Sequence, residues 1–146
     1  MHRVIYSSRA TRYFTAQGIE ALNYVCRRNN AALGLTGLLL YHEGRFFQVL
    51  EGDDAALLQV MQAITKDERH MDLRLAEHGP IEARSFQGWR MGYALPEDQP
   101  KPTPTTLALQ DLLRPDSQER GRDPEVRNHL RAFLATLRQL PSAAAG

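Results

Sequence analysis

The sequence predicts an α+β domain in which two helices lie on one face of a mainly antiparallel sheet. Three observations carry this. A hairpin signal occupies Gly34 to Gly52, helical periodicity flanks it on both sides, and strand-like alternation opens the chain and returns after residue 70. With 146 residues, 42% of them hydrophobic, the chain can bury a real core as one compact domain with room for a C-terminal appendage.

Arg3 to Ser8 reads as the first strand, with Val4 and Tyr6 on one face and Ile5 on the other. Thr15 then caps a helix that runs through about Ala32 and stops near Gly34. At the helical period, Ile19, Leu22, Cys26, Asn30 and Leu33 share one sector, Asn29 reaches its edge, and Arg27 and Arg28 point to solvent. Two apolar runs follow, joined by a turn at His42-Glu43-Gly44 in which Gly44 supplies positive φ. On the second of these strands Phe46, Gln48 and Leu50 alternate with Phe47, Val49 and Glu51.

Asp53 or Asp54 caps a second helix whose stripe is Leu57, Leu58, Met61, Ile64 and Thr65, and the charged run Lys66-Asp67-Glu68-Arg69-His70 ends it. Asp72 to Glu77 reads as a fourth strand, Gly79-Pro80 as a turn, and Phe86 to Tyr93 as a fifth short strand. Four prolines between Pro96 and Pro104 mark residues 96–104 as a linker. Helices are expected at Thr105 to Leu113 and, after Asp123-Pro124, at Glu125 to Leu140, with a frayed tail from Ser142. The second of these carries Val126, Leu130, Phe133, Leu134 and Leu137, an apolar face suited to the open side of the sheet.

This order is that of a ferredoxin-like βαββαβ fold plus a fifth short strand, with two helices on one sheet face and C-terminal helices on the other. It divides the chain into a domain at 1–95, the linker at 96–104, and a helix-turn-helix cap at 105–141. In such a fold the first and third strands are neighbours. Tyr6 and Gln48 then project side by side toward the helices, and Asn30 approaches from the first helix. An unpaired buried amide costs about 1–3 kcal/mol, so Gln48 and Asn30 must be satisfied either by the protein or by a ligand.

Composition narrows the classes. Net charge is +1, residues 1–100 carry 11 basic against 12 acidic side chains, and no basic patch argues for nucleic acid. The N-terminus enters a strand without a long apolar segment, which argues against secretion or membrane insertion and for a cytoplasmic protein. The single cysteine, Cys26, excludes an internal disulfide and a cysteine-based zinc site, and the five histidines lack metal-ligand spacing, so no metal is expected.

Several pieces in order resemble the BLUF domain, the flavin-using sensor of blue light. They are Arg3-Val4-Ile5-Tyr6-Ser7-Ser8, Arg28-Asn29-Asn30, Gly34-Leu35-Thr36-Gly37-Leu38-Leu39, Phe46-Phe47-Gln48-Val49-Leu50-Glu51-Gly52, Asp67-Glu68-Arg69-His70 and Trp89-Arg90-Met91, spread over about residues 2–95. The resemblance implies a flavin, usually FAD with FMN as the alternative, held between the two helices. It implies that Asn30, Arg69 and Asp67 bind the ring edge and ribityl region, with Asn29, His70 and Cys26 nearby and Ile64 packing on the ring. It further implies that Tyr6, Gln48 and Met91 form the photoactive cluster, with Trp89 as the alternative neighbour of Gln48. Tyr6 would give the excited flavin an electron and then a proton, and Gln48 would relay the proton and reorient, with a small red shift and no net redox change.

Two positions depart from the family pattern. Cys26 stands where many relatives have a small hydroxyl residue, and Ala63 stands where some carry a basic one, for which Lys66 can compensate. No cyclase or phosphodiesterase sequence follows, so the expected output is not enzymatic and passes through a protein partner or a homodimer. The competing readings are a flavin-binding module without a photocycle and a small acylphosphatase-like hydrolase. The latter is weakened because Ser7-Ser8-Arg9-Ala10-Thr11 has no glycines to let backbone amides surround a phosphate. Cys26 sits mid-stripe with no base beside it, which argues against a nucleophile.

Overall fold

A computed structural model describes residues 1–95, 106–108 and 123–139 of the chain. In order, the elements are β1 (His2–Ala10), α1 (Ala16–Leu33), β2 (Thr36–His42), β3 (Arg45–Gly52), α2 (Asp54–Thr65), β4 (His70–Pro80), β5 (Gly92–Leu95), β6 (Thr106–Ala108) and α3 (Pro124–Gln139). They form one sheet in the order β4-β1-β3-β2-β5-β6. The first four strands pair antiparallel, as the ferredoxin-like order requires, while β5 adds parallel to β2 and β6 parallel to β5.

Local chemistry sets the boundaries of α1 and the hairpin. Gly18 N donates to Thr15 Oγ1 at 3.0 Å, and Gly34 closes the helix with φ 71°. Between β2 and β3 both Glu43 (φ 51°) and Gly44 (φ 76°) are left-handed, the conformation of a type I′ turn. Gly37 sits where β2 and β3 approach closely: a Cβ there would lie 2.0 Å from the Val49 carbonyl oxygen.

Four expectations are corrected. The fifth strand begins only at Gly92, because the Ser85 and Phe86 N–H groups are taken by the Glu51 carboxylate and a turn closes from Trp89 N to Phe86 O at 2.9 Å. Residues 106–108 of the expected helix at Thr105 to Leu113 are a strand, since the edge of β5 offers backbone partners that local periodicity does not register. On α2 the sheet-facing stripe is Ala56, Leu57, Val60, Met61 and Ile64, and Leu58 is 51% exposed. A strict i, i+3, i+4, i+7 spacing from Leu57 gives Leu57, Val60, Met61 and Ile64, and Ala56 adjoins them. Finally, β4 runs on through Gly79 and Pro80, which an edge strand tolerates. The linker at 96–104 and the tail lie outside the described residues.

The sheet separates two cores. Toward α1 and α2 it presents Val4, Tyr6, Leu39, Phe46 and Leu50; toward α3 it presents Ile5, Leu38, Leu40, Phe47 and Val49, which meet Val126, Leu130 and Phe133. An ion cluster around the buried Arg3 seats the start of α3. Arg3, 1% exposed, donates to Glu77 at 2.7 Å, Asp123 at 3.0 Å and Glu125 at 2.6 Å. Burial opposes its charge, but the bonds to Glu77 and Asp123 outweigh that and hold its pKa above the ordinary value. On the same face Glu51 is fully buried and accepts from Thr36 Oγ1, Ser85 N and Phe86 N at 3.0, 2.9 and 2.6 Å.

Candidate functional site

Strand register brings the central pair together. Tyr6 is the direct antiparallel partner of Gln48, both side chains point toward the helices, and both are 4% exposed. Burial raises the Tyr6 pKa far above the usual phenol value, so the hydroxyl is neutral and donates to Gln48 Oε1. The other end of the amide, Nε2, faces Met91 Sδ at 3.8 Å. Gln48 is thus oriented by a phenol on one side and a thioether on the other.

Above this pair a cleft of about 180 Å³ opens between α1 and α2. Tyr6 and Gln48 form part of its floor, with Leu39 and Phe46. One wall comes from α1, with Leu22, Val25, Cys26, Asn29 and Asn30; the other comes from α2, with Val60, Ala63 and Ile64. Asp67, Arg69 and His70 close one end. Apolar walls with a few convergent polar groups suit a flat, partly polar small molecule.

The polar groups are held in place. Asn30 Nδ2 donates to Arg90 O at 2.6 Å, which ties α1 to the segment leading into β5. Arg69 Nε donates to Asp67 Oδ1 at 2.9 Å, and Arg69 N caps the same oxygen at 2.9 Å. The Arg69 bond holds the Asp67 carboxyl below the usual range, and Asp67 in turn raises Arg69. His70 Nε2 meets the Ile64 carbonyl at 2.6 Å, and its Nδ1 meets Ser8 Oγ at 2.8 Å. Burial pushes the Cys26 thiol up from 9.0 to about 11.

Of the residues singled out from sequence, Tyr6, Cys26, Asn29, Asn30, Gln48, Ile64, Asp67, Arg69 and His70 all line this cleft. Lys66 does not. It follows the last turn of α2, about 200° round from Ile64 at the helical period, and is exposed. Trp89 is not beside Gln48 either: it lies in the opposite core, its ring 6.5 Å from that of Phe86. The turn at Phe86 to Trp89 puts Trp89 on one sheet face and Met91 on the other. Sequence reasoning missed Val60, one turn before Ile64, although the helical period would have found it. It also missed Ser8, which lies on the Tyr6 face of β1.

Comparison with known proteins gives this cleft its context. Residues 1–92 match the family model described as BLUF, sensors of blue-light using FAD. Photoactivated adenylate cyclase subunit beta of Euglena longa is 36% identical over 109 residues, covering 74% of this chain and 12% of that protein. The blue light- and temperature-regulated antirepressor BluF of Escherichia coli K12 is 34% identical over 70 residues, 47% of this chain and 17% of that protein. The dark-state structure of BlrB, a BLUF protein, aligns with a TM-score of 0.60 at 32% identity over 63% of this chain and 70% of that one. The photo-activated state of BlsA aligns with a TM-score of 0.65 over 93% of both chains at 24% identity, a likeness of fold. The chain spans only about an eighth of the length of the Euglena cyclase subunit. With the family's sequence model, its fold and a cleft between the two helices in agreement, the chain belongs to the BLUF family and carries a flavin-binding sensor of blue light.

Proposed function

We propose that flavin enters the cleft between α1 and α2 and that Tyr6, Gln48 and Met91 turn its excitation into a change of hydrogen bonding. The single observation that carries this reading is the buried sequence Tyr6 hydroxyl, Gln48 amide, Met91 thioether on the cleft floor. The donor set suits the ring. Asn29 and Asn30 offer amide donors and acceptors that match the alternating N–H and C=O edge of a flavin, and one Asn30 proton is already fixed on Arg90 O. Ile64 and Val60 supply an apolar wall, and Asp67, Arg69 and His70 supply polar contacts toward one end.

Bound flavin supplies absorption of blue light and, when excited, a strong oxidant. Tyr6 is the phenol on the cleft floor, and one that has lost an electron becomes a strong acid. Its proton leaves along the hydrogen bond already made to Gln48 Oε1. Because the amide has an acceptor end and a donor end, Gln48 can return that proton while settling in another orientation or tautomer. Tyr6 recovers its electron, so the net change is in hydrogen bonding alone.

Output follows from the straddling segment. Met91 touches Gln48, whereas Trp89, two residues earlier, packs in the core that holds Val126, Leu130 and Phe133 of α3. A reoriented Gln48 alters the seat of Met91 and so biases the packing of Trp89 under α3. We assign the site residues, the sensor boundary near residue 95 and the C-terminal extension to this path. Its receiver is a protein partner or a second copy of the chain, in the cytoplasm.

Tyr6→Phe and Gln48→Leu test the switch directly. Both variants should bind flavin, and both should lose the light-induced red shift. A wild-type difference spectrum in either would contradict the assigned role.

A further inference from the structure

β4 is longer than the strand it pairs with, and the excess is concentrated opposite the site. Ile5 pairs with Glu77 but Tyr6 with Leu75, and Ser7 pairs with Arg74 but Arg9 with Met71. Two extra residues of β4 therefore flank Tyr6 and Ser8. At the second irregularity Asp72 takes φ 53°, a left-handed conformation that an L side chain adopts at a cost. Bulges of this kind re-aim side chains. Here the strand beyond the bulge delivers His70 across from Ala10, diagonal to Ser8 on the face that carries Tyr6.

Ser8 is 4% exposed, and its hydroxyl meets His70 Nδ1 at 2.8 Å. The opposite ring nitrogen, Nε2, lies 2.6 Å from the Ile64 carbonyl, which can only accept. A neutral ring must then carry its proton on Nε2, leaving Nδ1 to accept from Ser8. The ring also sits 6.3 Å from that of Tyr6 and 6.4 Å, edge-on, from that of Phe46. Ser8, His70 and Ile64 thus form a strut from the Tyr6 strand to the α2 wall of the cleft. Nearby, Thr11 binds the same turn through separate bonds to Glu68 O and Arg69 O.

We propose that Ser8 is a positioning residue of the photocycle: by donating to Nδ1 it anchors a His70 ring whose tautomer the Ile64 carbonyl sets, and so holds the Ile64 wall in register with the Tyr6–Gln48 floor. The proposal rests on the flavin reading above and goes beyond it in naming a residue outside the cleft lining. It makes the stability of the light-adapted hydrogen-bond pattern depend on the Ser8 hydroxyl.

The test has two arms on the full chain. In the first, 15N imidazole spectra of the protein as purified, kept dark and at a pH where the ring is neutral, read the tautomer of His70 and the hydrogen bond at its Nδ1. The wild type should show a neutral ring protonated at Nε2 with Nδ1 shifted by the hydrogen bond it accepts, Ser8→Ala should keep the Nε2 proton but lose that Nδ1 shift, and Ser8→Thr should restore it. In the second, Ser8→Ala should change the thermal return from the lit state by about two- to tenfold, the range that loss of one neutral hydrogen bond gives. Ser8→Thr should return toward wild type, and Thr11→Ala should leave the Nδ1 shift unchanged. A wild-type ring protonated at Nδ1 overturns the strut, and that measurement stands even if Ser8→Ala does not fold. A Ser8→Ala protein that has lost the Nδ1 hydrogen-bond shift but recovers at the wild-type rate overturns the photocycle role. Absence of any light response in the wild type defeats the flavin-switch reading instead, and the tautomer arm still decides the strut.

Discussion

At the scale of single residues, burial keeps two titratable groups of the cleft uncharged. Tyr6 and Cys26 are both pushed toward their neutral forms by burial, the first so that it can donate to Gln48, the second without a base to activate it. With its thiol at about 11 instead of 9.0, Cys26 should carry about a hundredfold less thiolate than an ordinary cysteine near neutral pH. Iodoacetamide should therefore label it about a hundredfold more slowly than a free thiol, and flavin should slow labelling further because Cys26 lines the cleft. Mass spectrometry of timed samples checks both, and labelling at the rate of a free thiol would contradict the burial argument. Gln48 and Asn30 were legible in sequence because an amide on an apolar stripe is conspicuous, whereas Tyr6 and Cys26, ordinary on such stripes, were singled out through the resemblance to the BLUF pattern. Ser8 was not, since a serine two residues after Tyr6 gains meaning only when a bulged partner strand brings His70 to it.

At the scale of elements, the segment between β4 and β5 is held by a carboxylate, not by a ladder. Glu51 sits three residues after Gln48 on β3, and all three of its partners, Thr36 Oγ1, Ser85 N and Phe86 N, are donors. Glu51→Gln replaces one acceptor by an N–H facing a donor and should cost about 1–3 kcal/mol in denaturant unfolding. Amide exchange at Ser85 and Phe86 should quicken, and unchanged exchange there would show that the carboxylate does not hold the turn. This device explains why the fifth strand was misplaced by sequence reasoning. Trp89-Arg90-Met91 has strand-like side chains, yet its upstream amides are bound elsewhere and Gly88 turns with φ 84°. The hairpin was legible for the opposite reason, because its register and its turn are both set by neighbours in sequence.

At the scale of the whole molecule, the sheet is a partition with the Tyr6–Gln48 floor of the cleft on one face and α3 on the other. Its strand order was legible from the sequence of elements, whereas β6 was not, because its parallel pairing with β5 is a long-range contact. In the proposed output path, coupling across the partition runs through the chain from Trp89 to Met91, and Arg3 with its three carboxylates fixes where α3 begins. Met91→Ala should accordingly keep most of the red shift while reducing the light-dependent change in hydrogen exchange over residues 124–139. A wild-type exchange response in that variant would move the output path elsewhere. The central claim, that light rewrites the Gln48 hydrogen bonds without net redox change, is tested most directly by the visible absorption spectrum of the flavin-loaded protein in the dark and after blue light. The account predicts an oxidised flavin band that moves slightly to the red and relaxes thermally in the dark. Bleaching to a reduced flavin, or a band that does not move, would contradict it.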